Sequence, residues 1–239
     1  MKVAESGTYR FFIPTVVYTG TEYGDWSVVL DSAASLGERL AETPCVVLDT
    51  IVLGSPQWWN ASCALSAGSL PEVPGSASFC VGCHMYLHAV RVPLARMVGA
   101  SAIVSGERLL HGEVIKASQS QPALVAFNEV VSAHGIDLLM PLIHVGDGSK
   151  IEEMVGDWPE SERQMSCVMK GSSREPRCGE EHLDEYLNSY LIPFTRRVLD
   201  CLETGGAGPR YSSIARELVA VIKEGQHPES STHRYRRDG

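Results

Sequence analysis

FIPTVVYTGTEYGDWSVVLDSAASLGERLAETPCVVLD, residues 12–49, decides the fold. FIPTVVY (12–18) is β-branched and aromatic and predicts a buried strand. Val29, Ala33, Leu36 and Leu40 recur at helical spacing and predict a helix over roughly 26–41. PCVVLD (44–49) predicts a second strand. Two buried strands joined by one helix are normally parallel.

The alternation continues outward. Residues 50–79 are rich in Gly, Ser and Pro and read as a long irregular connection, with Trp58 and Trp59 anchoring it. Leu87, Val90, Leu94 and Met97 mark a helical stripe that Pro93 splits and Gly99 closes. SAIVS (101–105) reads as a third strand. A helix around Leu124, Phe127 and Val131 follows, with Pro122 in its first turn, and IDLLMPLIH (136–144) is a fourth strand. A short helix near 149–155, a polar stretch 157–181, a helix bent at Pro193, the breaker GGAGP (205–209) and a last helix around Ile214, Leu218 and Val221 complete the chain. QHPESSTHRYRRDG reads as a disordered tail. The expected class is α/β, an open, mostly parallel sheet with a helical C-terminal extension. The expected divisions are an α/β domain over 1–156, a cysteine-containing segment with a C-terminal helix over 157–203, and a terminal helix and tail over 204–239.

A formal charge of −9 gives no general case for nucleic-acid binding. No apolar run approaches the length of a membrane span, so no membrane partner is expected. The N-terminus lacks the basic and long apolar regions of an export signal, and a cytoplasmic location is the expectation. Seven cysteines, an odd number, then read as thiols or metal ligands.

FCVGCH (79–84) is the strongest local signal. Haem attachment, zinc, an iron–sulfur cluster and thiol redox chemistry all use a CxxC pair. Covalent haem is attached outside the cytoplasm, which sets it aside. Two sulfurs do not close a metal site, and His84, His88, Cys167 and Cys178 are the candidates to complete it. Strands of a parallel sheet present ligands at their carboxyl ends, so the loops after each strand matter. TGTEYGD offers Thr19, Gly20 and Thr21, and the loop after SAIVS offers Ser105, Gly106, Glu107 and Arg108, then Lys116, Ser118 and Gln119, as nucleotide or substrate contacts. Neither GxGxxG nor GxxxxGK[ST] occurs, nor GxSxG or HExxH.

VVYTGTEYGDWSVVLDSAASLGERLAETPCVVLDT resembles the second strand, helix and third strand of PP-loop ATP pyrophosphatases. CVGCHMYLHAVRVPLARMVGASAIVSGE is similar to their CxxC, helix, strand and turn, and KASQ, GIDLLMPL and Cys167 follow in the family's order, so that the likeness covers roughly 12–170. The relatives are tRNA-thiolation (tRNA modification) enzymes and deazaguanine synthases. The resemblance implies a Rossmann-like (HUP-type) sheet, ATP with magnesium, adenylation of a carbonyl oxygen on a small-molecule or RNA substrate, and displacement of AMP by sulfur or nitrogen. In one thiolation branch a CxxC pair and a distant third cysteine hold a 4Fe-4S cluster with one iron free of protein ligands, and Cys80, Cys83 and Cys167 match that set. In the deazaguanine branch the cysteines hold structural zinc. The family's SGGxDS phosphate loop does not occur in this chain. The expected explanations are an upstream start, a degenerate loop at TGTEYGDWS, or a partner subunit that supplies the P-loop and is completed by a non-catalytic metal-binding chain. A sulfur donor and a second copy of the chain in a homodimer are the other implied partners.

Overall fold

The computed structural model describes residues 2–69, 75–109, 116–155, 165–169, 180–205 and 208–224. A short helix α1 (Lys2–Glu5) precedes β1 (Phe11–Phe12) and β2 (Thr15–Tyr18). Then come β3 (Glu22–Tyr23), α2 (Trp26–Arg39), β4 (Val46–Val47) and β5 (Ile51–Gly54). Asp25 caps α2 by accepting from the Ser27 amide, which ends the glycine-bearing turn and fixes where the helix starts.

The β-α-β reading of 12–49 is realised in part: β1 pairs in parallel with β4, inside the expected strand, but the longer parallel partner of β2 is β5, Ile51–Gly54, in the stretch expected to be irregular. Phe12 faces Val47 and Thr15 faces Ile51, three steps along one strand against four along the other. That extra residue is a bulge. It falls where Pro14, which has no N–H to give, still accepts from the Ile51 amide through its carbonyl.

Residues 50–79 differ from their expected irregularity. After β5 come α3 (Pro56–Asn60), a π-helical run over Ala61–Leu65, α4 (Ser66–Ser69) and, within the described residues, the start of α5 (Gly75–Ala89). Ser55 caps α3 and Pro56 stands in its first turn, which is how a Ser-Pro pair opens a helix instead of a loop. The CxxC pair therefore lies inside α5, not in a turn before a helix. Helical spacing of three still sets both sulfurs on one face.

Pro93 does split the next stretch: α5 ends at Ala89 and α6 (Val92–Val98) begins with Pro93 in its first turn and closes on Gly99 at φ 69°. Then follow β6 (Ala102–Val104), α7 (Gln121–Ser132), β7 (Asp137–Leu139), α8 (Gly148–Val155) and β8 (Ser166–Cys167). The C-terminal helices are α9 (Glu180–Tyr186), a second π-helical run Leu187–Leu191, α10 (Ile192–Glu203) and α11 (Tyr211–Lys223). Pro193 stands directly after the π run inside one unbroken helical stretch from Glu180 to Glu203, so the helical ladder changes register where its N–H is missing. Most of 157–181, Cys178 among it, and the tail from 225 lie outside the described residues.

The fold is mixed α/β. β6 pairs with β7 in parallel across α7, a second β-α-β unit, and β3 pairs with β8 antiparallel. Among the described residues the strands pair only two by two. Helix α5 and the turn after it join the two parallel ribbons through their side chains. Arg91 donates to Thr15 Oγ1 (2.7 Å) and to the Thr15 carbonyl (3.1 Å), as well as to the Leu87 carbonyl. His84 and His88 reach the loop after β6. The main core gathers α5, α7, the π-helical runs and α10 around Phe127, Tyr186, Tyr190 and Phe194. No described helix is long and apolar enough to cross a membrane.

Candidate functional site

Tyr86 sets the shape of the carboxyl end of the β2–β5 ribbon. The Ile51 amide donates to Pro14, so alternation along the ladder would bring the Ser55 amide to the Tyr18 carbonyl. The Tyr86 hydroxyl stands in that rung: it accepts from Ser55 N (2.6 Å) and donates to Tyr18 O (3.1 Å). Just before it, Gly54 is needed for close approach, since a Cβ there would lie 2.8 Å from the Tyr18 carbonyl oxygen.

One turn earlier on α5, Cys80 and Cys83 are half-buried. Cys167 comes from β8, whose pairing with β3 sets it opposite Glu22. Its thiol lies 3.6 Å from Thr21 Oγ1, and the Met169 amide donates to its sulfur at 3.3 Å. Burial raises the Cys80 thiol, the neighbouring Cys167 adds to this, and Lys116 opposes it. Burial pushes Cys83 up to about 12, with Trp59 opposing and Cys167, Cys80 and Glu22 adding. The three cysteines expected from sequence, together with Thr21 and Lys116, therefore share one neighbourhood.

A fourth thiol joins them. Cys63, in the first π-helical run, is fully buried and is held far above the usual thiol range by burial and by Cys83 and Cys80. Its spacing matches no motif, and only the packing of the π run against α5 reveals it. The packing is tight because Gly82, between the paired cysteines, has no side chain: a Cβ would sit 2.9 Å from the Ser62 carbonyl oxygen and 3.1 Å from Cys63 Sγ. Two stacked tyrosines serve carbonyls of the π run, Tyr186 donating to Ser62 O (3.1 Å) and Tyr190 to Ala61 O (2.6 Å). The Trp59 indole N–H has no partner at regular hydrogen-bond geometry, yet it lies close enough to the Cys83 sulfur to favour its thiolate.

The turn after β2 is already engaged. The Glu22 carboxylate accepts from Thr19 N (3.2 Å), Gly20 N (3.1 Å) and Thr19 Oγ1 (2.6 Å), and Thr19 Oγ1 lies 2.7 Å from Thr21 Oγ1. An anionic group of the chain itself thus holds the amides that the sequence suggests for a phosphate.

The loop after β6 faces elsewhere on α5. The Ser105 hydroxyl accepts from the Glu107 amide, and Gly106 has open space around its Cα. Glu107, Arg108, Ser118 and Gln119 are buried, and Gln119 Oε1 has no hydrogen-bond partner. Glu107 Oε1 lies 2.6 Å from His84 Nδ1 and 3.2 Å from His88 Nε2. His84 and His88 are thus turned to Glu107, not to the cysteines they were expected to complement. Burial would raise the Glu107 carboxyl, but the two imidazoles hold it well below the usual range; burial also pulls His88 down, against the pull of Glu107.

No protein-family model matches the chain, and no solved structure matches it. The chain is 29% identical over 227 residues to an uncharacterized protein of Methanocaldococcus jannaschii, a similarity spanning 92% of this chain and 80% of that one.

Proposed function

We propose that the chain is a PP-loop-type sulfur-transfer protein in which Cys80, Cys83 and Cys167 hold an iron–sulfur cluster or a zinc ion. Its substrate is a base or small acid, free or within RNA, whose carbonyl oxygen is adenylated with ATP and magnesium. The observation that carries this reading is the β3–β8 pairing, which brings Cys167 into electrostatic reach of a CxxC pair 84 positions earlier. The donor set fits a metal: burial and the neighbouring sulfurs oppose ionisation of Cys80 and Cys83, a conflict that a cation relieves, and the Trp59 N–H awaits a negative sulfur. Among the described residues the one His/Cys/Asp/Glu group with ligand atoms all within 4.8 Å is His134, Asp200 and Glu203, so no three of these sulfurs lie within that distance of one another. A single zinc with Zn–S of about 2.3 Å needs sulfurs roughly 3.8 Å apart. The wider spacing favours a cluster over one zinc ion.

When bound, a cluster with an iron free of protein ligands supplies a position for sulfur. The chain's own residues do the rest: Lys116 places positive charge by Cys80, Trp59 favours the Cys83 thiolate, and Thr21 sits beside the Cys167 sulfur. The finer reading of the fold as Rossmann-like belongs to this proposal. It is supported by the two parallel β-α-β units. The Glu22 carboxylate in the turn after β2 favours a second reading in which this chain supplies the metal centre and a partner subunit the phosphate loop. The setting we propose is cytoplasmic, with a sulfur donor.

The test is anaerobic purification followed by visible absorption and iron, sulfide and zinc analysis. A broad brown band lost in Cys167→Ala supports the cluster. Colourless protein with one zinc per chain sinks it, and protein that takes up neither metal sinks the site altogether. ATP–pyrophosphate exchange by the chain alone separates the first reading from the second.

A further inference from the structure

We propose that Thr21 and Thr19 form a reversible hydroxyl chain serving the Cys167 sulfur, and that they are positioning residues of the thiol site where the sequence suggests nucleotide contacts. The role rests on the reading of Cys167 as a ligand of the proposed cluster. The hydrogen bonds that link these residues run in one direction. The Cys167 thiol donates to Thr21 Oγ1 (3.6 Å), Thr21 Oγ1 lies 2.7 Å from Thr19 Oγ1, and Thr19 Oγ1 donates to Glu22 Oε1 (2.6 Å). The last link sets the order of the middle one. An ionised carboxylate only accepts, so the single Thr19 hydroxyl proton is spent on Glu22, and Thr21 gives its own proton to Thr19. Thr21 then turns a lone pair to the thiol.

The fold holds these atoms in place. Thr19 and Thr21 are 3% and 8% exposed. Glu22 faces Cys167 across the β3–β8 pair, and the Val168 amide donates to the Thr21 carbonyl (3.0 Å), which keeps Thr21 beside the sulfur. The Thr21 amide fills the remaining lone pair of Thr19 Oγ1 (3.2 Å). Glu22 is held by the Thr19 and Gly20 amides (3.2 and 3.1 Å) whichever way the hydroxyls point.

A thiol becomes a metal ligand by losing its proton, which leaves to solvent. The Thr21 oxygen then faces a thiolate with a lone pair, an unfavourable contact. Two hydroxyl rotations relieve it: Thr19 turns its O–H to Thr21, and Thr21 turns its O–H to the sulfur. No proton passes along the chain, and Glu22 gives up one bond while keeping its two amides. The sulfur now accepts from Thr21 O–H and from the Met169 amide (3.3 Å). Outer hydrogen bonds of this kind orient a ligand, and those to sulfur help set a cluster's potential.

The test is anaerobic reconstitution of the full chain with ferrous iron and sulfide, followed by redox titration and chelator challenge. Thr21→Val keeps the side-chain volume and removes the hydroxyl. It should release the cluster to chelator about 10-fold or more faster, in line with the 10–100-fold affinity loss usual for an outer partner. Its reduction potential should fall, because a hydrogen bond to a ligating sulfur stabilises the reduced state. Thr21→Ser should restore both properties. Circular dichroism of the metal-free variants controls for folding, and if Thr21→Val unfolds, Thr21→Ala against Thr21→Ser isolates the same hydroxyl. A hydroxyl-free variant with the potential and chelator resistance of wild type overturns the proposal, and so does a loss that Thr21→Ser fails to repair. Wild-type chain that assembles no cluster, or Cys167→Ala protein that keeps it unchanged, overturns the ligand reading itself and the proposal with it.

Discussion

Replacing Gly82 with alanine tests the packing that places the cysteine pair. A helical glycine normally gains from this change, by about 1 kcal/mol of helix propensity. Here the added Cβ meets the Ser62 carbonyl oxygen at 2.9 Å, Cys63 Sγ at 3.1 Å and Tyr186 Oη at 3.2 Å. The closest of these is backbone, and Ser62, Cys63 and Tyr186 are all buried, so none can swing away. Overpacking of this kind costs about 1–3 kcal/mol. Displacing the Tyr186 hydroxyl from Ser62 O and Ser66 Oγ adds about 0.5–1.5 kcal/mol. The net expectation is a loss of about 1–3 kcal/mol. For a chain of this size that lowers Tm by roughly 2–12 °C. Gly37 supplies the control, because it lies inside α2 and a Cβ there meets only Val47 Cβ at 3.9 Å. Gly37→Ala should stabilise by up to about 1 kcal/mol. Urea unfolding of both variants reads the contrast. A Gly82→Ala protein as stable as Gly37→Ala would refute the close approach of α5 to the π run.

Other consequences can be measured independently. Both Glu107 and His88 are held below their ordinary values, so the stability they contribute is present above their unfolded values, about 4.3 and 6.5, and is lost on acidification. The urea midpoint should begin to fall below about pH 6.5 and steepen below about 4.3, and Glu107→Gln should flatten the lower limb; an unchanged lower limb would exclude Glu107 as its source. With Cys83 pushed up to about 12, its thiolate fraction at pH 8 is about 10⁻⁴, so alkylation of the metal-free protein should run roughly a thousandfold slower there than at an ordinary thiol near 8.5, with exposed Cys201 as the internal reference for access. Comparable labelling of Cys83 and Cys201 would contradict that burial. Tyr86→Phe removes the bridge between Ser55 N and Tyr18 O and should cost about 1–3 kcal/mol, with faster hydrogen exchange at the Ser55 amide. Unaltered exchange would mean that the ladder closes without the hydroxyl.

The parts of the molecule legible in the sequence are those set by local periodicity. The α2 stripe, the split at Pro93, the left-handed Gly99 and the parallel pairing of Phe11–Phe12 with Val46–Val47 follow from spacing and turn chemistry within a few tens of residues, whereas the longer ladder of β2 with Ile51–Gly54 falls in a stretch that reads as irregular. Residues 50–69 were not legible, because the Gly, Ser and Pro content that suggests a loop here caps and opens helices. The helical body of α5 was masked in the same way by GSAS before the cysteines. Cys63 carried no signal at all: its relation to Cys83 runs through a missing side chain at Gly82, which no spacing rule records. Likewise the Glu107 pairing with His84 and His88 depends on where the loop after β6 meets α5, a tertiary fact that left the histidines equally plausible as partners of the CxxC pair.

Helix α5 explains why these features occur together. Its successive turns present Cys80 and Cys83, then His84 with Tyr86, then His88, then Arg91 just past its end. Each addresses a different strand end: the cysteines meet the β3–β8 pair, Tyr86 enters the β2–β5 ladder, the histidines take Glu107 after β6, and Arg91 holds Thr15 at the start of β2. The polar side chains of one helix therefore do between the two ribbons what backbone hydrogen bonds do within a continuous sheet. Backbone pairing fixes strands without constraining which side chains bear it, whereas here the joints are Tyr86, His84, His88 and Arg91 themselves. A change at any of them moves the cysteine face and a strand end together. Binding at the thiol site and order at the strand ends should accordingly respond to one another, and hydrogen exchange at Ser55 with and without bound metal reads that linkage directly.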